Sequence, residues 1–449
     1  MIINRLLLIG LIFLVASCEK PKASKTKAEK FFKEENYEQA LTELDKLIEQ
    51  EPDSASHYRL RVFTYSNLGM FREEIQDLNK LIELNEDSKS LKARNERAIA
   101  YIRLGENIKA LSDINYVIAN KDSLKDISQM CIQKASILFN LNDFENSKLF
   151  YNKALKINAN KDNLVTSQAL VGLSNISTNP NEAIKILNRA IEIDSESGLA
   201  YHARGVINFE QENIEDAFKD FHKAKKYESY NSDIYFNIGQ LYANYSNNID
   251  SATYYFDRAL KLAPQSPNNY MIQANLGVLK DRNGKLNEAL EHFKIAERLN
   301  SKYDLMLFNY SMLLSDMKKK TKALDKINRA ITINPKDPEY FNLKGSILID
   351  LSDFNNAEQA FIKAIEINSN YGAPYYNLGY LNGKQDNIRE AIKYYNKAVQ
   401  LNFDLPATLV NRAILRFKIN QSQEACSDLN RALQLGRTDI KPLIERQCG

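Results

Sequence analysis

Five asparagines, Asn237, Asn275, Asn309, Asn377 and Asn411, stand at corresponding places in a repeated pattern. A side-chain amide carries both donors and an acceptor, so a row of them suits reversible pairing with the backbone of another chain rather than bond-making. Aromatic residues flank the row at Phe236, Phe308, Tyr376 and Tyr380. Groups that make and break bonds are sparse. His57, His202, His222 and His292 are isolated, with no HExxH pair and no second ligand at metal spacing. There is no glycine-rich phosphate loop and no GxSxG elbow. The many carboxylates fall on polar helix surfaces where solvation accounts for them. The expectation is a chain that is no enzyme and takes no cofactor, metal or small-molecule substrate.

One cysteine does suit covalent chemistry. The chain opens MIINRLLLIGLIFLVAS, with Arg5, a nearly unbroken apolar run from Leu6 to Ala16, and then Cys18. That run is short of the about 20 apolar residues a spanning helix needs, and it fits the charged start and apolar centre of a secretory signal. Val15, Ala16, Ser17 and Cys18 resemble the bacterial lipobox, in which the signal is cleaved before the cysteine and the cysteine carries the lipid. An ordinary signal with a chance cysteine is the alternative. The resemblance implies a leader over 1–17, lipidation at Cys18 and a linker over 18–27 that reaches about 30 Å when extended. It also implies export to the cell envelope, anchored to a membrane on its periplasmic side or to the outer membrane. Several acyl chains would hold firmly, since one alone binds only marginally.

Charge argues against nucleic acid as a partner. The formal net charge is +3, or +2 once Arg5 leaves with the signal, and acids and bases are interspersed. Nucleic-acid binders show basic residues clustered on one face. The longest basic run, Lys318–Lys320, reads as a solvated helix end. With no tryptophan and only fifteen glycines in 449 residues, the composition favours helices.

The elements that would position the asparagines repeat. Ala289, Ala323, Ala357, Ala391 and Ala425 are spaced by a strict 34 residues, each opening a stretch such as NNAEQAFIKAIEINS. In most, a large apolar residue follows four positions later and a small one three further on. Upstream lies a second helical pattern, as in YYNLGYLNG, where Tyr375, Leu378, Gly379 and Asn382 share one face. The aromatic, Leu-Gly, Ala, aromatic and Ala offsets, with Pro52, Pro264 and Pro335 past the second helix, resemble the tetratricopeptide family, whose period is 34. The resemblance implies an all-α fold, a right-handed superhelical solenoid of about twelve helix-turn-helix repeats over 28–436, with a capping helix over 437–449. The repeats centre on Ala40, Glu74, Ala110, Ser147, Ala183, Ala217, Ala252, Ala289, Ala323, Ala357, Ala391 and Ala425. The second departs from the pattern at Glu74. The fifth, with a shortened, poorly marked first helix, is the expected place for a bend or a weak interface.

Number each first helix so that its aromatic is position 4 and its glycine position 8. Position 6 is asparagine in five of the last six repeats, Leu343 being the exception. It points about 150° from the centre of the core face formed by positions 4, 7, 8 and 11. In the family the first helices line a concave wall, and an asparagine ladder there resembles the peptide groove of O-linked N-acetylglucosamine transferase arrays. Pairing of neighbouring helices is the alternative role for the amides, and packing is the alternative for the aromatics. Family members that clamp a chaperone's terminal carboxylate carry lysine at position 5 and asparagine at position 9, and no repeat from the sixth to the twelfth has that pair.

Cys131 falls at a core position. Cys426 and Cys448 would staple the capping segment if bridged, worth about 3 kcal/mol on the loop-entropy model. Two functions remain open. One is a membrane-anchored adaptor binding an extended peptide or protein partner in its concave groove. The other is a structural or assembly subunit of an envelope complex that uses its convex surface.

Overall fold

The computed structural model describes residues 24–84, 87–120, 124–158, 162–246 and 248–449. The leader and Cys18 lie outside the described residues. No strand occurs among the described residues, and no helix there is long and apolar enough to cross a membrane.

Among the described residues twelve helix pairs follow one another. The first four are α1 (Lys25–Lys33) with α2 (Tyr37–Gln50), α3 (Ala55–Leu68) with α4 (Phe71–Glu83), α5 (Asp87–Arg103) with α6 (Asn107–Ala119), and α7 (Leu124–Asn140) with α8 (Phe144–Asn158). The next four are α9 (Asn163–Ile176) with α10 (Pro180–Ile193), α11 (Gly198–Glu210) with α12 (Ile214–Tyr227), α13 (Ser232–Asn244) with α14 (Ile249–Leu262), and α15 (Asn269–Arg282) with α16 (Leu286–Leu299). The last four are α17 (Asp304–Asp316) with α18 (Lys320–Ile333), α19 (Pro338–Asp350) with α20 (Phe354–Ile367), α21 (Gly372–Lys384) with α22 (Ile388–Gln400), and α23 (Leu405–Lys418) with α24 (Ser422–Gln434). A turn of 3-10 helix at Thr438–Ile440 then leads into α25 (Lys441–Cys448). The pairs fall into two compact units. One holds residues up to Ile238 with Lys261–Ser266, and the other Gly239–Leu260 with Pro267–Gly449.

Each pair is closed by one tight crossing. In the five pairs that carry it, the glycine of the first helix lets the ring of the second come into contact: a Cβ on Gly205 would lie 2.8 Å from Phe221, on Gly345 2.5 Å from Phe361, and on Gly379 2.7 Å from Tyr395. Those separations are shorter than carbon atoms tolerate, so the position admits hydrogen alone. Phe221, Phe256, Phe293 and Phe361 are fully buried there, and so are Ala217, Ala252, Ala289, Ala323, Ala357, Ala391 and Ala425. Packing of this density makes added volume costly.

Sharp turns keep the two helices antiparallel. Between α19 and α20, Ser352 is left-handed (φ 63°). Its amide donates to the Ile349 carbonyl and that of Asp353 to Leu348, both at 2.9 Å, which satisfies the last carbonyls of the first helix. The next helix is capped at once, because Asp353 accepts from the Asn356 amide. Pro338 at the first turn of α19, capped by Asp337, starts the pair in the same way.

Five details differ from or sharpen the sequence reading. The first helix of the fifth repeat is not shortened: α9 has 14 residues, a normal Asp162 cap, and eight buried residues. Its small residues lie on more than one face, so both neighbours approach closely, and a side chain at Gly172 would run into the Tyr151 ring of the preceding pair. Helix α1 starts at Lys25, inside the stretch read as linker. Lys318–Lys320 form a left-handed turn and the start of α18, where Lys320 donates to the Asp350 carbonyl at 2.8 Å. Cys426 and Cys448 are disulfide-bonded with their Cα atoms 5.6 Å apart, and Leu443 and Ile444 of α25 pack on the buried face of α24. Cys131 is a free, buried thiol whose pKa burial raises.

Gly345→Ala is expected to destabilise the α19–α20 pair by about 1–3 kcal/mol through overpacking. Gly383→Ala, whose Cβ would meet Leu415 at 3.4 Å, should be close to neutral. Hydrogen exchange of the two helices measures both.

Candidate functional site

In the second unit the asparagine row is half-buried and only partly free. Asn377 Nδ2 donates to Asn342 Oδ1 at 2.8 Å, and Asn411 Nδ2 to the Tyr376 hydroxyl at 2.9 Å. Each bond runs from position 6 to position 5 of the preceding first helix, 35 residues earlier. In the first unit Asn237 does the same with His202 Nε2 at 2.8 Å. Burial holds the His202 pKa below its ordinary value, so the ring stays neutral and its nitrogen accepts. These three amides tie neighbouring helices together.

Asn275 and Asn309 make no side-chain hydrogen bond among the described residues. For Asn309 the reason is plain, since position 5 of the preceding helix is Ala274, which has no acceptor. The same comparison explains the exception at Leu343, whose preceding position 5 is Phe308: an apolar residue faces an apolar one, and both pack on the same core cluster. Reading position 6 against position 5 one repeat earlier would have separated engaged from free amides in the sequence.

The aromatics divide similarly. Phe308 stacks on Tyr340 with centroids 5.1 Å apart, and Tyr376 packs at 5.7 Å on both Tyr395 and Phe403. Both serve helix packing. Phe236, in the first unit, is half-buried. Tyr380 is 45% exposed, with Lys384 Nζ 5.9 Å from its ring centre. It belongs to a row that sequence reasoning did not recognise: position 9 carries Met312 and Ile414 as well, 42% and 45% exposed and each 34 residues from the corresponding position of its neighbouring repeat. On a helix of 100° per residue, positions 6 and 9 both lie about 30° from the point opposite the core. The exposed surface of these first helices is therefore amide beside apolar.

A second recurring feature also escaped the sequence reading. Arg61, Arg97, Arg204 and Arg412 occupy position 7. Each holds an aspartate sixteen residues on, Asp77, Asp113, Asp220 or Asp428, through two hydrogen bonds of 2.6 to 2.9 Å. The third guanidinium nitrogen reaches the preceding second helix at Asp45, Asn79, Asn188 or Asn396. All four paired aspartates are 4% exposed. The planar guanidinium suits this double contact, and it staples one pair to the next.

Glu74 is the remaining unusual group. It replaces the crossing alanine of the second repeat, is 5% exposed, and has an Oε2 without a partner. Burial, with Glu96 adding to it, pushes its pKa up to about 7 against the pull of Arg103 and the Ser66 hydroxyl. Because the folded value lies above the unfolded one, the contribution of Glu74 to stability is fully present below pH 4.5 and is lost as pH rises through 7. Glu74→Ala should remove that slope and stabilise the repeat at pH 7.5 by as much as ~3 kcal/mol. Hydrogen exchange of α3 to α5 at pH 4.5 and 7.5 measures it.

Segments 128–161, 232–266, 338–371 and 373–405 match the tetratricopeptide repeat family. The chain is similar to Anaphase-promoting complex subunit 3 of Schizosaccharomyces pombe, 26% identical over 181 residues, which cover 40% of this chain and 27% of that protein. It is similar to the human Protein O-mannosyl-transferase TMTC3 at 25% over 370 residues, 80% of this chain and 36% of that protein. The chain thus spans about a quarter to a third of these relatives. Among solved structures, the APC/C hetero-tetramer Cut9-Hcn1 aligns with a TM-score of 0.48 at 15% identity, covering 94% of this chain and 95% of that one.

Proposed function

We propose that this chain, whose helix pairs include tetratricopeptide repeats, is a membrane-anchored adaptor that binds an extended segment of a protein partner along the first helices of its second unit. The observation that carries the reading is the pair of free amides at Asn275 and Asn309, with Met312 exposed on the Asn309 helix and Tyr380 and Ile414 exposed on two further first helices. An amide can pair with any peptide's backbone, while apolar neighbours favour chosen side chains. Each hydrogen bond contributes about 0.5–1.5 kcal/mol net, so the apolar row must supply much of the affinity. Asn377 and Asn411 hold the wall in register and are positioning residues in this reading. One relative is by its name a subunit of a larger complex, which agrees with a role in protein contact.

A photo-crosslinker at Met312 should capture a partner in intact cells, whereas one at Lys393 on the exposed side of α22 should not. Asn309→Ala should lower that capture without changing the melting temperature, because its amide holds nothing internal. Capture from Lys393 alone would favour the second reading, a subunit that assembles through its second helices.

The anchor is part of the same proposal and rests on the VASC sequence before Glu19. Cys18→Ser is expected to abolish acyl labelling and to move the chain out of the membrane fraction. Retention of both label and membrane association in that variant would rule out lipidation at this residue.

A further inference from the structure

A cavity of about 430 Å³ opens between α18, α19 and α20, its wall including Asn328, Lys344, Gln359 and Ala360. It occupies the place that the arginine staple fills elsewhere. Lys344 stands at position 7, the site of Arg61, Arg97, Arg204 and Arg412. Ala360, sixteen residues on, stands where the buried aspartates do, and Asn328, sixteen back, corresponds to Asn188 and Asn396.

Elsewhere a cation at this crossing has a partner. Lys27 Nζ lies 3.1 Å from the Glu43 carboxylate, and Lys134 Nζ lies 4.2 Å from the centre of the Phe150 ring. In the ninth pair the order is reversed, with Lys326 over Tyr310 at 5.2 Å and bonded to Glu297 at 2.7 Å. Lys344 has no ion pair, hydrogen bond or ring contact among the described residues. The other charges at the cavity are engaged: Asp353 accepts from Asn356 at the start of α20, and Lys363 Nζ donates to Glu366 at 2.9 Å.

We propose that this cavity binds a carboxylate, supplied by an aspartate or glutamate side chain of a bound protein that takes the place of the missing internal acid. The chemistry follows from the rest of the chain, where the same geometry takes a carboxylate in four repeats through arginine and in the first through lysine. One lysine and one amide hold a free carboxylate only loosely, so the acid arrives on a larger ligand that also contacts the exposed edge at Gln359 and Lys363. This surface lies between second helices and is separate from the asparagine row, so it stands independently of the function proposed above.

The test pans a random peptide library against the full chain, with counter-selection on A360D, which supplies the internal acid. The expected peptides share an aspartate or glutamate whose change to asparagine or glutamine weakens binding at least tenfold. Lys344→Met, which keeps the apolar stem, should weaken them by a similar factor, and this variant serves even if A360D folds poorly. Three outcomes would overturn the proposal: no enrichment, binders with no need for an acid, or acid-dependent binders that Lys344→Met holds as tightly as the parent chain. N-acetyl-aspartate amide is the control for the source. Its binding as tightly as the peptides would assign the cavity to a small carboxylate instead of a protein side chain.

Discussion

The close crossing within each pair, where in most repeats a glycine or alanine of the first helix admits a large side chain of the second, is the constraint on which the other features rest. At Gly345 and Phe361 there is room for a hydrogen and nothing larger. Repeating that contact at intervals near 34 residues turns each helix the same way in every repeat. Positions 6 and 9 then lie on the side of the first helix opposite its core face, and position 7 lies toward the second helices. A stacked array buries its apolar faces only against neighbours, so whatever varies at these positions varies locally, one repeat at a time.

Position 7 is filled in several ways, with lysine in the first, fourth and tenth repeats and tyrosine in the ninth. In the second, third, sixth and twelfth repeats it is arginine with a buried aspartate, and in the fifth, seventh, eighth and eleventh it is leucine or isoleucine. A buried ion pair seldom adds more stability than a well-packed apolar pair, so the arginines are poorly explained by stability alone. Their third contact, to the preceding second helix, gives a different account. A guanidinium joined to two successive second helices fixes the register between repeats in a way that leucine, which has no directional contact, does not. The disulfide from Cys426 to Cys448 ties α25 to α24, whose buried face Leu443 and Ile444 cover.

Much of this was legible in the chain itself. The alanine spacing located ten of the twelve second helices, those with Glu74 and Ser147 falling between them, and the crossing residues at Ala40, Ala110, Ala217 and their successors are buried. The fifth repeat was harder to read, because small residues on several faces of α9 weaken the one-sided periodicity that marks a surface helix, while indicating a helix buried from both sides. The aromatics at position 5 left groove and packing both open in the sequence, and Phe308 packs on Tyr340 while Tyr376 packs on Tyr395 and Phe403.

By itself the sequence determined the helices, their pairing and the faces they turn to one another, because these depend on spacings within one repeat. Tertiary structure decided which polar groups are left over. Asn377 and Asn309 are the same residue at the same position, and they differ only in what stands on the preceding helix: Asn342 accepts a hydrogen bond and Ala274 has nothing to accept with. Lys344 likewise differs from Lys27 by a partner sixteen residues away, Ala360 in place of Glu43. Whether a donor is satisfied depends on contacts between helices, and those contacts are set by the stacking of the chain.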